Sequence, residues 1–157
     1  MSVRQFKMPS VTARRIAEYA HRGQVDKAGE DYIEHVRRVA STFDRTSDAC
    51  VVAWLHDVVE DTAIDLSLID AVFGPTIAAS VDALTRRDGE APSAYYQRVR
   101  DDYTALHVKR ADIRDNCDVR RLARLNSKTV LRLIGKYANA LDALDAPPSS
   151  FQGTTDG

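Results

Sequence analysis

Ala49-Cys50-Val51-Val52-Ala53-Trp54-Leu55-His56-Asp57-Val58-Val59-Glu60-Asp61-Thr62 is the stretch on which the architecture turns. Its first seven residues are apolar on every side, and a helix of that kind belongs in the middle of a bundle, not on its surface. Ser47 or Asp48 can cap it. The continuation is abruptly polar. Burying an unpaired charge costs roughly several kcal/mol, so polar groups packed this densely after a buried helix point to a shared task. If the helix runs on, His56 and Glu60 are i,i+4 neighbours, and so are Asp57 and Asp61. One turn then offers an imidazole and three carboxylates to a common pocket, a donor mix that suits Mn, Fe, Zn or a similar divalent ion. Taken alone, the same residues also read as a helix end with its charges in water.

Working outward, apolar residues recur at helical spacing, and runs that alternate as strands do are absent. Upstream, Ser10 can cap a helix to about Arg22 that Gly23 breaks. A polar turn through Lys27 and Gly29 leads into a second helix, roughly Asp31 to Phe43, with His35 among Ile33, Val36 and Val39. Downstream, short helices are expected over Leu66 to Val72 and Pro75 to Leu84, parted by Gly74, and Arg86 to Pro92 reads as a surface loop. Pro92 suits the first turn of a helix carrying Tyr95, Tyr96 and Val99. A helix from about Thr104 to Asn116 holds the polar cluster Asp112, Asp115 and Asn116. Ser127 can cap a last helix whose Val130, Leu133, Ile134, Tyr137 and Leu141 form an inward stripe. The expectation is one all-α bundle over residues 1–146, followed by a flexible tail over 147–157 rich in Pro, Ser, Gly and Thr.

The chain has 157 residues, 44% hydrophobic and 29% charged, an ordinary globular balance. Its net charge of -1 gives no global pull toward nucleic acid or an anionic membrane. Two cysteines, Cys50 and Cys117, are too few for a disulfide framework or a thiolate zinc site. Met1 to Lys7 has no apolar core of signal-peptide type, which predicts a cytoplasmic protein. His35, the His56-Asp57 pair and the distant Asp112, each on its own helix, form a chelating set that leaves positions for water and substrate, as metal hydrolysis requires.

The order His…His-Asp…Asp resembles the signature of the HD phosphohydrolase superfamily. It is closest to the hydrolase domain of the RelA/SpoT family and its single-domain relatives, the small alarmone hydrolases such as the metazoan SpoT homologues. The resemblance rests on Ala20-His21-Arg22-Gly23-Gln24, Gly29-Glu30-Asp31-Tyr32-Ile33-Glu34-His35 and Leu55-His56-Asp57-Val58-Val59-Glu60-Asp61-Thr62. It continues through Phe73-Gly74, Leu84-Thr85 and Val108 to Asn116. It implies a helical HD fold and His35, His56, Asp57 and Asp112 as ligands of one Mn²⁺. Glu60 and Asp61 would then be the acidic pair that orients and deprotonates the attacking water. Lys27, Arg86, Arg114 and Asn116 would be the substrate contacts. The reaction implied is removal of the 3′-pyrophosphate from the alarmone ppGpp or pppGpp, the nucleotide of the stringent response. The partner expected is thus a small-molecule nucleotide, with neither nucleic acid nor membrane, and the oligomeric state is not legible.

The chain departs from the family pattern in places that keep other readings open. Asp26 stands where a basic residue commonly lies against guanine, and an acid cannot supply cation stacking. Val119 replaces a threonine, and the motif basic residue falls one place late, at Arg114. A hydrolase for another nucleotide (ppApp, a dNMP) therefore stands beside the alarmone reading, as does a non-catalytic nucleotide-binding module. Arg120, Arg121 and Arg124 read as a solvated helix face, and His21 as a structural residue.

Overall fold

The computed structural model describes residues 8–146. Segments 1–7 and 147–157, the expected tail included, lie outside the described residues. Within them the chain forms ten helical segments and no strand, only an isolated antiparallel bridge between Val25 and Asp31. In chain order these are α1 (Pro9–Ala20), α2 (Tyr32–Ala40), α3 (Asp48–Leu55), α4 (Val58–Asp61) and α5 (Leu66–Phe73). They continue as α6 (Pro75–Leu84), α7 (Pro92–Asp101), α8 (Tyr103–Asn116), α9 (Val119–Leu122) and α10 (Ser127–Asp145).

The all-apolar helix is the hub. Cys50 to Leu55 are buried without interruption, and α3 packs against α1, α2, α6 and α8. Ser47 supplies its cap, the side-chain oxygen accepting from the Cys50 N–H at 3.2 Å. Gly74, at φ 85°, ends α5 and opens α6, a left-handed position that a β-carbon would strain. Among the described residues, no helix is long and apolar enough to cross a membrane.

Several element ends differ from the sequence expectation. Pro9, not Ser10, starts α1, and Ser10 is buried inside it. Asp102 and Asn126 cap α8 and α10, each accepting a backbone N–H from the first turn, so both helices begin at a neighbour of the expected position. The short helix α9 carries Arg120 and Arg121, and Asp118 caps it by accepting from the N–H groups of both. The stripe on α10 is also divided. Leu133, Ala140 and Leu144 face inward against α7 and α8, whereas Ile134 and Leu141 are exposed, as is Leu131. An outer helix has only one covered side, so an apolar band wider than that side spills onto the surface.

Candidate metal centre

Three helices meet where the hub ends. α3 stops at Leu55, His56 and Asp57 form a turn, and α4 restarts at Val58, with Asp57 at φ -111°, ψ -1°. The i,i+4 relation assumed for His56 and Glu60 on one helix therefore does not hold. The turn lets adjacent side chains point the same way, and Asp57 Oδ2 lies 2.9 Å from His56 Nε2. From α2, His35 Nε2 reaches Asp112 Oδ1 on α8 at 3.1 Å, and His56 Nε2 lies 3.9 Å from the same oxygen. Ligand atoms of His35, His56 and Asp112 all fall within 4.8 Å of one another, and Asp57 adjoins them through His56. All three are buried.

These donors fit a divalent cation. Nε2 of both histidines is buried with no hydrogen bond of acceptable geometry, although carboxylate oxygens stand at 2.9 and 3.1 Å. Donors about 3 Å apart that do not hydrogen-bond one another are spaced as ligands around a common ion with bonds of roughly 2.1 Å. The outer nitrogens are already committed: His56 Nδ1 lies 2.7 Å from the Ala53 carbonyl, and His35 Nδ1 lies 2.7 Å from Asp115 Oδ2. Each imidazole is thereby set to turn its Nε2 lone pair inward. Asp112 receives Lys109 Nζ and the Asn116 amide, both at 2.7 Å, and Tyr32 donates its hydroxyl to Asp57 Oδ2.

The charges interact strongly. Burial pulls the His56 imidazole down, yet Asp57 and Asp112 more than offset this and carry it up to about 9. Asp112 is held well below the carboxylate range, with Lys109 and the two histidines outweighing its burial. Asp61 is pushed up to about 6, first by burial and then by Asp57 and Glu60. Imidazoles raised by ionised carboxylates, and carboxylates lowered by the cations beside them, mark a cluster whose negative charge favours a bound cation.

Above the cluster opens a cavity of about 350 Å³, the size of a small-ligand cleft. Asp57, Glu60, Asp61 and Asp112 line it. Lys27, Arg86, Lys109 and Lys136 also line it. Burial and the charges of Lys109, Lys27 and Arg86 all pull the Lys136 ammonium down, the mark of cations crowded in one space. Arg86 lies over the Tyr95 ring at 4.3 Å, and its backbone N–H donates to Glu60 Oε1 at 2.7 Å.

Of the residues expected at the substrate, Lys27, Arg86 and Asn116 line this cavity; Arg114 does not and is exposed. Two residues beyond Asp112, it lies roughly 200° further round α8. Lys136, Tyr137 and Arg121 also line the cavity without having been singled out for it. For the first two the sequence hint is their place on α10, Tyr137 within its expected inward stripe and Lys136 beside it. The solvated reading of the arginine run fails for Arg121, whose side chain is 16% exposed and pairs with both Asp26 and Asp115. His21 is buried, with Nδ1 2.8 Å from Gln24 Oε1 and its ring against Tyr32.

Comparison with known proteins gives a consistent picture. The HD domain family matches residues 13–114. The guanosine-3′,5′-bis(diphosphate) 3′-pyrophosphohydrolase of Haemophilus influenzae is 38% identical over 76 residues, 46% of this chain and 11% of the relative. Its counterpart from Vibrio cholerae is 34% identical over 87 residues, 51% of this chain and 12% of the relative. The chain thus spans about a tenth of the length of these relatives. A solved metazoan ortholog of SpoT, which hydrolyzes ppGpp and plays a role in starvation responses, superposes with a TM-score of 0.73 at 21% identity. That alignment covers 91% of this chain and 89% of the other, and it establishes a shared fold.

Proposed function

The chain belongs to the HD domain family, and from that membership we propose that it is a divalent-cation-dependent phosphohydrolase that removes the 3′-pyrophosphate from a guanosine alarmone of the ppGpp type. The observation that carries this reading is the stacking of two opposite charge environments. Asp112 of the buried imidazole–carboxylate cluster and the adjoining Asp57 line a cavity that Lys27, Arg86, Lys109 and Lys136 also line. Such a site receives a cation below and a polyanion above. The relatives whose names specify this reaction support the substrate.

In this reading His35, His56, Asp57 and Asp112 hold the ion, which we assign as Mn²⁺. When bound, it supplies Lewis acidity that neutralises phosphoryl charge and eases ionisation of water. Glu60 has Oε1 occupied by the Arg86 N–H, which leaves Oε2 to take a proton from the attacking water, with Asp61 orienting that water. The water oxygen joins phosphorus, the bond from phosphorus to the ribose 3′-oxygen breaks, and a proton reaches that oxygen as pyrophosphate departs. The four cations bind the phosphates and orient the bond in line. Asn116 supports Asp112 through its amide and faces the nucleotide. A nucleotide substrate makes the cytoplasm the place of action.

A second reading, the same chemistry on another nucleotide, is favoured by Asp26. Its carboxylate lines the cavity and is saturated by the Ala28 and Glu30 N–H groups and by Arg121. One experiment separates them: incubate the Mn²⁺-loaded protein with ppGpp, ppApp, nucleoside triphosphates and dNMPs, and identify products by mass. Pyrophosphate from ppGpp alone supports the first reading, and release from ppApp or a dNMP in preference supports the second. No product from any nucleotide would overturn both.

A further inference from the structure

Asp115 does not line the cavity; it approaches His35 from behind. It follows Asp112 by one helical turn on α8, so the two carboxylates share a face and grip opposite nitrogens of one imidazole. Asp112 Oδ1 stands at 3.1 Å from Nε2, and Asp115 Oδ2 at 2.7 Å from Nδ1. The Asp115 carboxylate is itself clamped. Arg38 Nε donates to Oδ1 at 2.7 Å and Nη2 to Oδ2 at 3.2 Å, while Arg121 Nη1 also donates to Oδ2. Arg121 Nη2 reaches Asp26, whose other oxygen accepts from Ala28 and Glu30 N–H at 2.8 and 3.0 Å. A line of alternating charges thus runs from the loop on the cavity wall, through Arg121 and Asp115, to the back of a buried histidine.

His56 makes the contrast. Its Nδ1 faces a neutral carbonyl, that of Ala53. A charged acceptor behind an imidazole fixes both its tautomer and its orientation and raises the basicity of the opposite nitrogen. We infer that Asp115 is a positioning residue for His35, holding the ring proton on Nδ1 so that Nε2 is presented to the ion, and that Arg38 and Arg121 keep Asp115 in place for this task. The inference rests on the metal-centre reading above and goes beyond it, since Asp115 would touch neither ion nor substrate.

Two measurements test it without reference to turnover. The first is Mn²⁺ affinity by equilibrium dialysis with metal analysis, for the parent, Asp115→Asn and the control Arg124→Gln, which removes an exposed pair with Glu30. Asp115→Asn keeps the shape of the side chain, and its Mn²⁺ affinity is expected to fall about 10–100-fold, with Arg124→Gln matching the parent. The second is long-range 1H–15N NMR on the parent loaded with diamagnetic Zn²⁺, which needs no variant. The His35 ring proton is expected on Nδ1. Parental affinity in Asp115→Asn, or a His35 ring with no proton on Nδ1, overturns the role of Asp115 and leaves the metal centre standing. A parent that takes up no ion overturns both.

Discussion

At the residue scale the centre depends on which atom of each side chain is already spoken for. Glu60 has one oxygen tied to the Arg86 backbone and one turned loose beside the cavity. Glu60→Gln keeps the acceptor and the shape but loses the base. Turnover of the nucleotide substrate is expected to drop about 10²–10⁴-fold, with metal content unchanged by elemental analysis; parental turnover would remove Glu60 from the mechanism. Asp115 sits at about 2, lowered by His35 and Arg38 against its burial. An unfolded aspartate titrates near roughly 3.9. The unfolded chain therefore takes up the proton first, and the stabilisation Asp115 contributes is complete above about pH 4 and fades as pH falls toward 2. Asp26 is lowered as well, Arg121 and two backbone N–H groups outweighing its burial. Urea unfolding between pH 5 and pH 2 is expected to show a steeper acid loss in the parent than in Arg121→Gln, which removes the partner both carboxylates share. Identical slopes would mean that the clamp adds no stability. Of these residues, His35, His56, Asp57, Glu60 and Asp112 stood out in the sequence because a polar group amid helical apolar spacing is conspicuous. The roles of Asp115 and Arg121 were not legible, since an acid or base near a helix end looks the same whether it meets water or a distant partner.

At the element scale, spacing identified the long helices and missed their ends. A cap depends on which of two adjacent polar residues turns back to the backbone, and Asn126 and Ser127 are equal candidates until the chain direction entering α10 is known. The break at His56-Asp57 was illegible for a similar reason. Nothing in the residue types from Val51 to Asp61 forbids a continuous helix, and the packing around α3 decides where it stops. α10 shows the same limit for burial, because periodicity reveals an apolar face without saying how much of it a neighbour covers. Leu133, 5% exposed, and Ile134, 49% exposed, test this directly. Leu133→Ala should destabilise the fold by about 2–5 kcal/mol and Ile134→Ala by about 0.5, read from denaturant midpoints at constant m-value. Equal effects would mean that α10 packs differently.

For the molecule as a whole, the centre joins α2, α8 and the end of α3, so an ion held there ties together elements that are otherwise held by packing. Ligands that bind only the folded state stabilise it by mass action. Mn²⁺ at about a hundred times its dissociation constant is expected to add about 2.7 kcal/mol, seen as a rise in melting temperature that EDTA reverses and that His56→Ala abolishes. A melting curve indifferent to both ion and chelator would count against a centre at this junction. The amino-acid sequence alone determined that the chain is helical, that the stretch from Ala49 to Leu55 lies at its heart, and which polar residues stand out against the helical apolar spacing. Those are matters of residue type and local period, written in short windows. Only the tertiary structure decided that His35, His56 and Asp112 share one point, that Lys136 joins Lys27 and Arg86 around one cavity, and that Asp115 stands behind His35 rather than in water. These are contacts between residues far apart in the chain, and they exist only once packing has chosen how the helices cross.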